Sequence, residues 1–153
     1  MKIRLTCLGT LEEALLQAPL LDSLGASAHG PVSDQPFPKG ASEKRLRRDF
    51  TAPQSVLIVA SELDSERLAG LSYAGPIEDP TSLERSPCLL ALWVDPAMRH
   101  QGLARELVKE TRKILAGRGL LRLLARVAHN DDALISMGER WGFVRSWEWM
   151  VVE

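Results

Sequence analysis

One stretch, Leu89 to Leu115, constrains this chain more than any other. Leu89-Leu90-Ala91-Leu92-Trp93-Val94 is a short, continuous apolar run closed by Asp95-Pro96, the pattern of a buried strand. Ala97-Met98-Arg99-His100-Gln101-Gly102 follows as a loop. Beyond it, Leu103, Leu107, Val108, Thr111, Ile114 and Leu115 recur at three- and four-residue steps, which predicts a helix. A strand that passes through a glycine-containing loop into a helix N-terminus makes an anion site. The first backbone N–H groups have no partner inside the helix, and its aligned dipoles favour negative charge there. Gly102 has no Cβ and lets the backbone come close to a ligand. Arg99 adds a fixed cation with several donors. A phosphate or pyrophosphate is the expected ligand. The patterns G-x-x-x-x-G-K-[ST] and G-x-G-x-x-G are both absent from the sequence.

The rest of the chain reads as further strands and helices. Residues 2–8 alternate, with Ile3, Leu5 and Cys7 on one face, and predict a first strand. Thr10-Leu11-Glu12-Glu13 is a capping box opening a helix that runs towards Pro19, where it is interrupted or kinked. Residues 25–41 are rich in Gly, Pro and Ser and read as a long loop. Ser42 is placed to cap a short basic helix, Glu43 to Phe50. Ser55 to Ala60 and Leu68 to Ala74 read as two strands, and residues 76–87, with Pro76, Pro80 and Pro87, as a loop. Leu120 to Val127 reads as a strand, Asp131 to Trp141 as a helix, and Phe143 to Val152 as a last strand region. The order β-α-α-β-β-β-α-β-α-β makes the helix at 103–116 a parallel crossover between the strands at 88–94 and 120–127.

The pattern R-x-x-G-x-A at 99–104, directly after Val94-Asp95-Pro96, resembles the acyl-CoA pyrophosphate loop of the GNAT superfamily of N-acyltransferases, [QR]-x-x-G-x-[GA]. A second motif adds to it. The family commonly shows N-x-x-A followed by L-Y-E-K-L-G-F. This chain has Asn130-x-x-Ala133, then Met137-Gly138-Glu139-Arg140-Trp141-Gly142-Phe143. The resemblance covers residues 55–145, and the first fifty residues agree in element order alone.

The resemblance implies an α/β fold of the α+β mixed-sheet kind. Its central sheet is mostly antiparallel, with a parallel β-α-β crossover at the CoA site, in a single domain over residues 1–153. It implies acetyl-CoA as cosubstrate and a primary amine as acceptor, with direct transfer in a ternary complex. Backbone N–H groups around His100, Gln101, Gly102, Leu103 and Ala104, with Arg99, would hold the pyrophosphate. Trp93 and Val94 would offer backbone groups to the pantetheine arm where the two parallel strands splay. Asn130 would hydrogen-bond the pantetheine or serve as a helix N-cap. The amine would approach from the other side of the splay, under residues 25–41.

The chain departs from the family at the residue that protonates the thiolate. The family tyrosine falls at Gly138, and the glutamate some members use as base falls at Cys88. Candidates by chemistry are then His129, which can exchange a proton near neutral pH, and Glu84 as a carboxylate base. A second reading stays open: a degenerate GNAT-fold module that binds acyl-CoA or a protein partner without turnover.

Charge and cysteine content exclude other classes. A net charge of −1 supplies no field for nucleic acid or a membrane surface. Cys7 and Cys88 read as small buried hydrophobes in a reducing compartment, with no metal-ligand spacing. No apolar run is long enough to span a bilayer, and the cytoplasm is the expected location. Trp147 and Trp149 near the C-terminus suggest a homodimer that buries part of residues 143–152.

Overall fold

The computed structural model describes residues 2–30, 33–146, 148 and 150–152. Five strands form one sheet in the order β1-β2-β3-β4-β5: β1 Ile3–Cys7, β2 Val56–Glu62, β3 Leu68–Glu78, β4 Arg85–Val94 and β5 Leu124–Ala125. The first three pairings are antiparallel and β4–β5 is parallel, so the sheet is mixed as the sequence implied. The period-two alternation of β2 explains its two-sided burial. Val56, Ile58 and Ala60 face one core, and Leu57 and Val59 face the other.

Helix α4, Leu103–Gly117, covers the first face through Leu103, Leu107 and Leu115. It sits low on the sheet at Gly70, where a Cβ would lie 3.0 Å from the Trp93 carbonyl oxygen and 3.1 Å from Leu107 Cδ1. The second face carries α1 Leu11–Leu15, α2 Ala18–His29 and α3 Ala41–Asp49, packed through Ala14, Ala18, Leu21 and Leu46. The chain continues after β5 into α5, Asp132–Arg140. No helix among the described residues is long and apolar enough to cross a membrane.

Several sequence expectations need correction. Residues 25–29 are helical, because α2 continues through Gly25 to His29; Pro19 in its first turn marks a break from α1 rather than a kink. Gly40, not Ser42, is the N-cap of α3, and the Ser42 N–H donates to Asp22 Oδ1 at 2.9 Å. The stretch at 76–87 is strand at both ends, with the loop confined to 79–84: Pro76 and Pro87 face each other across β3 and β4. Proline fits there because the two occupy a pair that exchanges no N–H···O bonds. Cys7 is exposed, since it ends the edge strand β1, while Cys88 is buried.

The strand expected at 120–127 shrinks to Leu124–Ala125, paired with Cys88 and Leu89. Pro87 limits it at one end, because its N–H-less nitrogen faces β5. At the other end the register of β3 on β4 slips between Tyr73 and Ala74, leaving Leu90 as an extra residue. This bulge bends β4 away from β5. The expected strand at 143–152 is not formed in its described part, where Met150, Val151 and Val152 are exposed. Trp147 and Trp149, on which the dimer expectation rests, lie outside the described residues.

Candidate active site

The site begins at the bulge. Leu90 and Ala91 both pack on the α1–α3 face, as two residues opposite one must. Beyond Leu89, β4 has no β5 partner among the described residues. The sheet therefore splays at the carboxyl end of its two parallel strands. The Pro76–Pro87 pair fixes which backbone groups line that gap. Pairs that exchange N–H···O bonds alternate with pairs that do not. Counting from the proline pair through the bulge, Trp93 bonds to Leu71, whereas Leu92 and Val94 turn their backbone groups into the gap. The Asp95 N–H, one residue on, bonds back to the Ala69 carbonyl at 2.8 Å, in step with this alternation. The sequence reading named Trp93 and Val94 and missed Leu92; the proline pair was the signal that could have found it.

The loop at the mouth of the gap is held from several sides. Asp95 accepts from the Ala97 N–H at 2.9 Å and from Arg67 at 2.8 Å. Those two bonds, the backbone one first, hold its carboxyl below the ordinary carboxylate value. Pro96–Met98 forms one 3₁₀ turn, and Met98 is buried in the α4-side core. Arg99 donates from Nε to the Val94 carbonyl at 3.1 Å. One of the two groups Val94 could offer is therefore taken, while the rest of the guanidinium stays at the exposed surface.

The backbone then turns twice through the left-handed region, at His100 with φ 64° and at Gly102 with φ 83°. Only glycine adopts that region at little cost, and a non-glycine there marks a constrained backbone. Alternation of this kind converges successive N–H groups on one point and makes a nest for an anion. Gly102 is the N-cap of α4, and the first helical bond runs from the Glu106 N–H to the Gly102 carbonyl at 3.1 Å. The N–H groups of Leu103, Ala104 and Arg105 precede that bond and point out of the helix end. His100, Gln101 and Gly102 are exposed, Ala104 is half-buried, and Leu103 is buried as the anchor of the first turn.

The other candidates separate cleanly. His129 and Asn130 are exposed in the turn after β5. The parallel β4–β5 pairing puts this turn on the same sheet edge as the loop. Asp131, not Asn130, caps α5, accepting from the Leu134 N–H at 3.0 Å. Asn130 is thereby released from the helix-cap role. Glu84 lies at the opposite edge, exposed in the β3–β4 turn, where its carbonyl accepts from the Asp79 N–H at 2.8 Å. A strand the length of β4 separates it from the loop by roughly 30 Å. Gly138 lies on α5 with space beside it, a Cβ there meeting Phe143 Cβ at 3.8 Å and nothing closer. Between α4 and the chain that follows it runs a cleft lined by Arg105, Val108, Lys109, Arg112, Arg140 and Trp141, basic and apolar together. No cluster of metal-ligating side chains occurs among the described residues.

A mixed sheet splayed at its parallel strands, with a helix N-terminus at the mouth, defines a protein that can hold a long phosphorylated ligand across a sheet edge. The chain belongs to the GNAT acetyltransferase family: the model of the Acetyltransferase (GNAT) family matches residues 24–143. No curated protein matches it at the level of sequence. Solved structures share the fold. A probable acetyltransferase is 24% identical with TM-score 0.65, the match covering 100% of this chain and 96% of that one. AAC(6')-Iy, in complex with the bisubstrate analog CoA-S-monomethyl-acetylneamine, is 12% identical with TM-score 0.70, covering 100% and 98%. The ribosomal-protein-alanine N-acetyltransferase from Brucella melitensis biovar Abortus 2308 is 18% identical with TM-score 0.67, covering 100% and 99%.

Proposed function

We propose that this protein moves an acetyl group from acetyl-CoA to a primary amine by direct attack in a ternary complex. The observation that carries this reading is the bulge at Leu90, beyond which β4 runs without a β5 partner towards the left-handed loop. Membership of the GNAT family supports it. So does the fold shared with AAC(6')-Iy, whose structure holds a CoA-based bisubstrate analog.

The chain's own groups divide the work. The N–H groups from His100 to Ala104, with Arg99 beside them, take the pyrophosphate. The backbone groups of Leu92 and the free N–H of Val94 pair with the amides of the pantetheine arm, as an added strand would. Trp93 packs below them on the acceptor face. Asn130 reaches the arm from the β5 side. The basic cleft along α4 takes the nucleotide end. The attacking nitrogen forms a bond to the thioester carbon, the carbon–sulfur bond breaks, and the thiolate leaves. The amine gives up one proton and the sulfur takes one. His129, in the turn after β5, is our candidate to exchange it. Positioning supplies most of the acceleration, since a thiolate is a reasonable leaving group.

Gly102→Glu tests the reading. It sets a side chain at φ 83° and a negative charge where phosphate belongs. Calorimetry should show acetyl-CoA binding lost while the protein stays folded by circular dichroism. Unchanged affinity would remove the pyrophosphate loop from the site. A second reading, an acyl-CoA-binding module without turnover, draws on glycine standing at position 138. Release of free CoA thiol over a panel of amines separates the two.

A further inference from the structure

The acceptor face is closed over β3 and open over β4. On β3, Leu71 is 0% and Tyr73 is 2% exposed. Their partners across the sheet, Trp93 and Ala91, pack on the same face yet stay half-buried. The bulge adds Leu90 to that face, also half-buried. All three lie beyond Leu89, where β4 has no β5 partner among the described residues. The opening is therefore continuous with the gap assigned to the pantetheine arm.

Helix α2 packs against β4 and supplies the other wall. Leu20 and Leu24 are half-buried and join the same apolar cluster as Leu90, Ala91 and Trp93. The backbone stays right-handed helical through Leu16 and Gln17. Leu16, Leu20 and Leu24, each one turn from the next, thus share one flank. Leu16, at the outer end of this row, is 78% exposed. Asp22, the only acid on α2, stands midway between Leu20 and Leu24 in sequence and so on the opposite flank. There its carboxylate accepts the Ser42 N–H at 2.9 Å, at the start of α3. Asp49, the one buried charged residue among those described, pairs with Arg85 at the first position of β4. That is roughly 25 Å along the strand from Trp93. Neither acid faces the opening, and the walls that do are leucine, alanine and tryptophan.

We infer that the acceptor is a primary amine with an apolar body, aryl or branched alkyl. The body sits between Leu20 and Leu24 of α2 and Leu90, Ala91 and Trp93 of β4, with the nitrogen at the gap. Burial of that body supplies the binding. An apolar groove also disfavours the charged form of the amine, which brings the neutral nucleophile within reach. That eases loss of the proton in a chain whose position 88 carries cysteine in place of a base. A polyamine would have to bury further ammonium groups without partners. The inference rests on the acetyl-transfer reading and names the substrate class of that site.

The test is CoA thiol release with matched acceptors: phenethylamine and isopentylamine against ethanolamine and spermidine. The two apolar amines should exceed ethanolamine in kcat/KM by about tenfold or more, the range expected for burying one large apolar group. Trp93→Ala should remove most of the advantage by raising KM for phenethylamine, with KM for acetyl-CoA unchanged. Leu20→Glu, which places a carboxylate on the ledge, should turn the preference towards spermidine. Melting temperatures check that both variants fold. Equal use of ethanolamine or spermidine by the wild type, or a preference that survives both substitutions, would overturn the inference and leave acetyl transfer standing. A dimer in light scattering that Leu16→Glu dissolves would give the ledge to a second copy and also overturn it. Thiol release with none of the amines would sink the transfer reading, and the inference with it.

Discussion

Helix α4 is pinned to the sheet by a polar pair in the middle of an apolar core, and that pair can be tested by a double-mutant cycle. Ser72 Oγ and Thr111 Oγ1 are 2.9 Å apart, and both residues are 0% exposed. Thr111 Oγ1 also lies 2.8 Å from the Leu107 carbonyl oxygen, to which it donates. A hydroxyl has one hydrogen, so Ser72 must be the donor within the pair. Thr111→Val keeps the shape but leaves the Ser72 hydrogen buried without an acceptor, a cost of about 1–3 kcal/mol. Ser72→Ala leaves Thr111 bonded to Leu107 and removes one neutral bond, a cost of about 0.5–1.5 kcal/mol. The double variant strands no donor, so its cost should fall roughly 1–2 kcal/mol below the sum of the two. Urea unfolding followed by circular dichroism gives the three values, provided the denaturant slope stays constant. Costs that add within about 0.3 kcal/mol would refute the pairing argument.

Further predictions concern the proton, the acid limb and the empty tyrosine position. His129→Ala should lower kcat at saturating acetyl-CoA and leave CoA affinity unchanged; a wild-type rate would hand the proton to water. Asp49 is held below its ordinary value of 3.8, first by the hydrogen bond from Arg48. Its contribution to stability is therefore present above 3.8 and lost as pH falls through the lower folded value. Asp49→Asn should flatten the acid limb of a melting-temperature profile in that window; an unchanged limb would show that other carboxylates set it. Gly138→Tyr enters a space where the nearest atom to a new Cβ is 3.8 Å away. It should fold with a melting temperature at or above wild type, because glycine is a poor helix residue. It should also raise kcat if protonation of the thiolate is slow, and an unaltered rate would place the slow step elsewhere.

The sequence determined the organising unit of this protein. An apolar run, a glycine loop and a helical period follow one another between Leu89 and Leu115 with no long-range information needed. The structure has β4, the turn at Pro96–Met98 and α4 at those places. Local chemistry also sufficed for the capping box, where the Glu13 N–H donates to Thr10 Oγ1 at 3.2 Å. Tertiary structure decided what depends on partners distant in sequence. The length of β5 was set by Pro87 and by the bulge at Leu90, both on another strand, so its own alternation could not show where it ends. Residues 25–29 look like a loop by composition, yet they are helical in α2, whose Leu21 is buried against the sheet. Packing of an apolar face outweighs the weak intrinsic preference of glycine and serine. The backbone groups that line the gap follow from a register counted across β3 and β4. Motifs record chemistry carried by neighbours in the chain, whereas the lining of a gap between two strands exists only once the sheet has been packed.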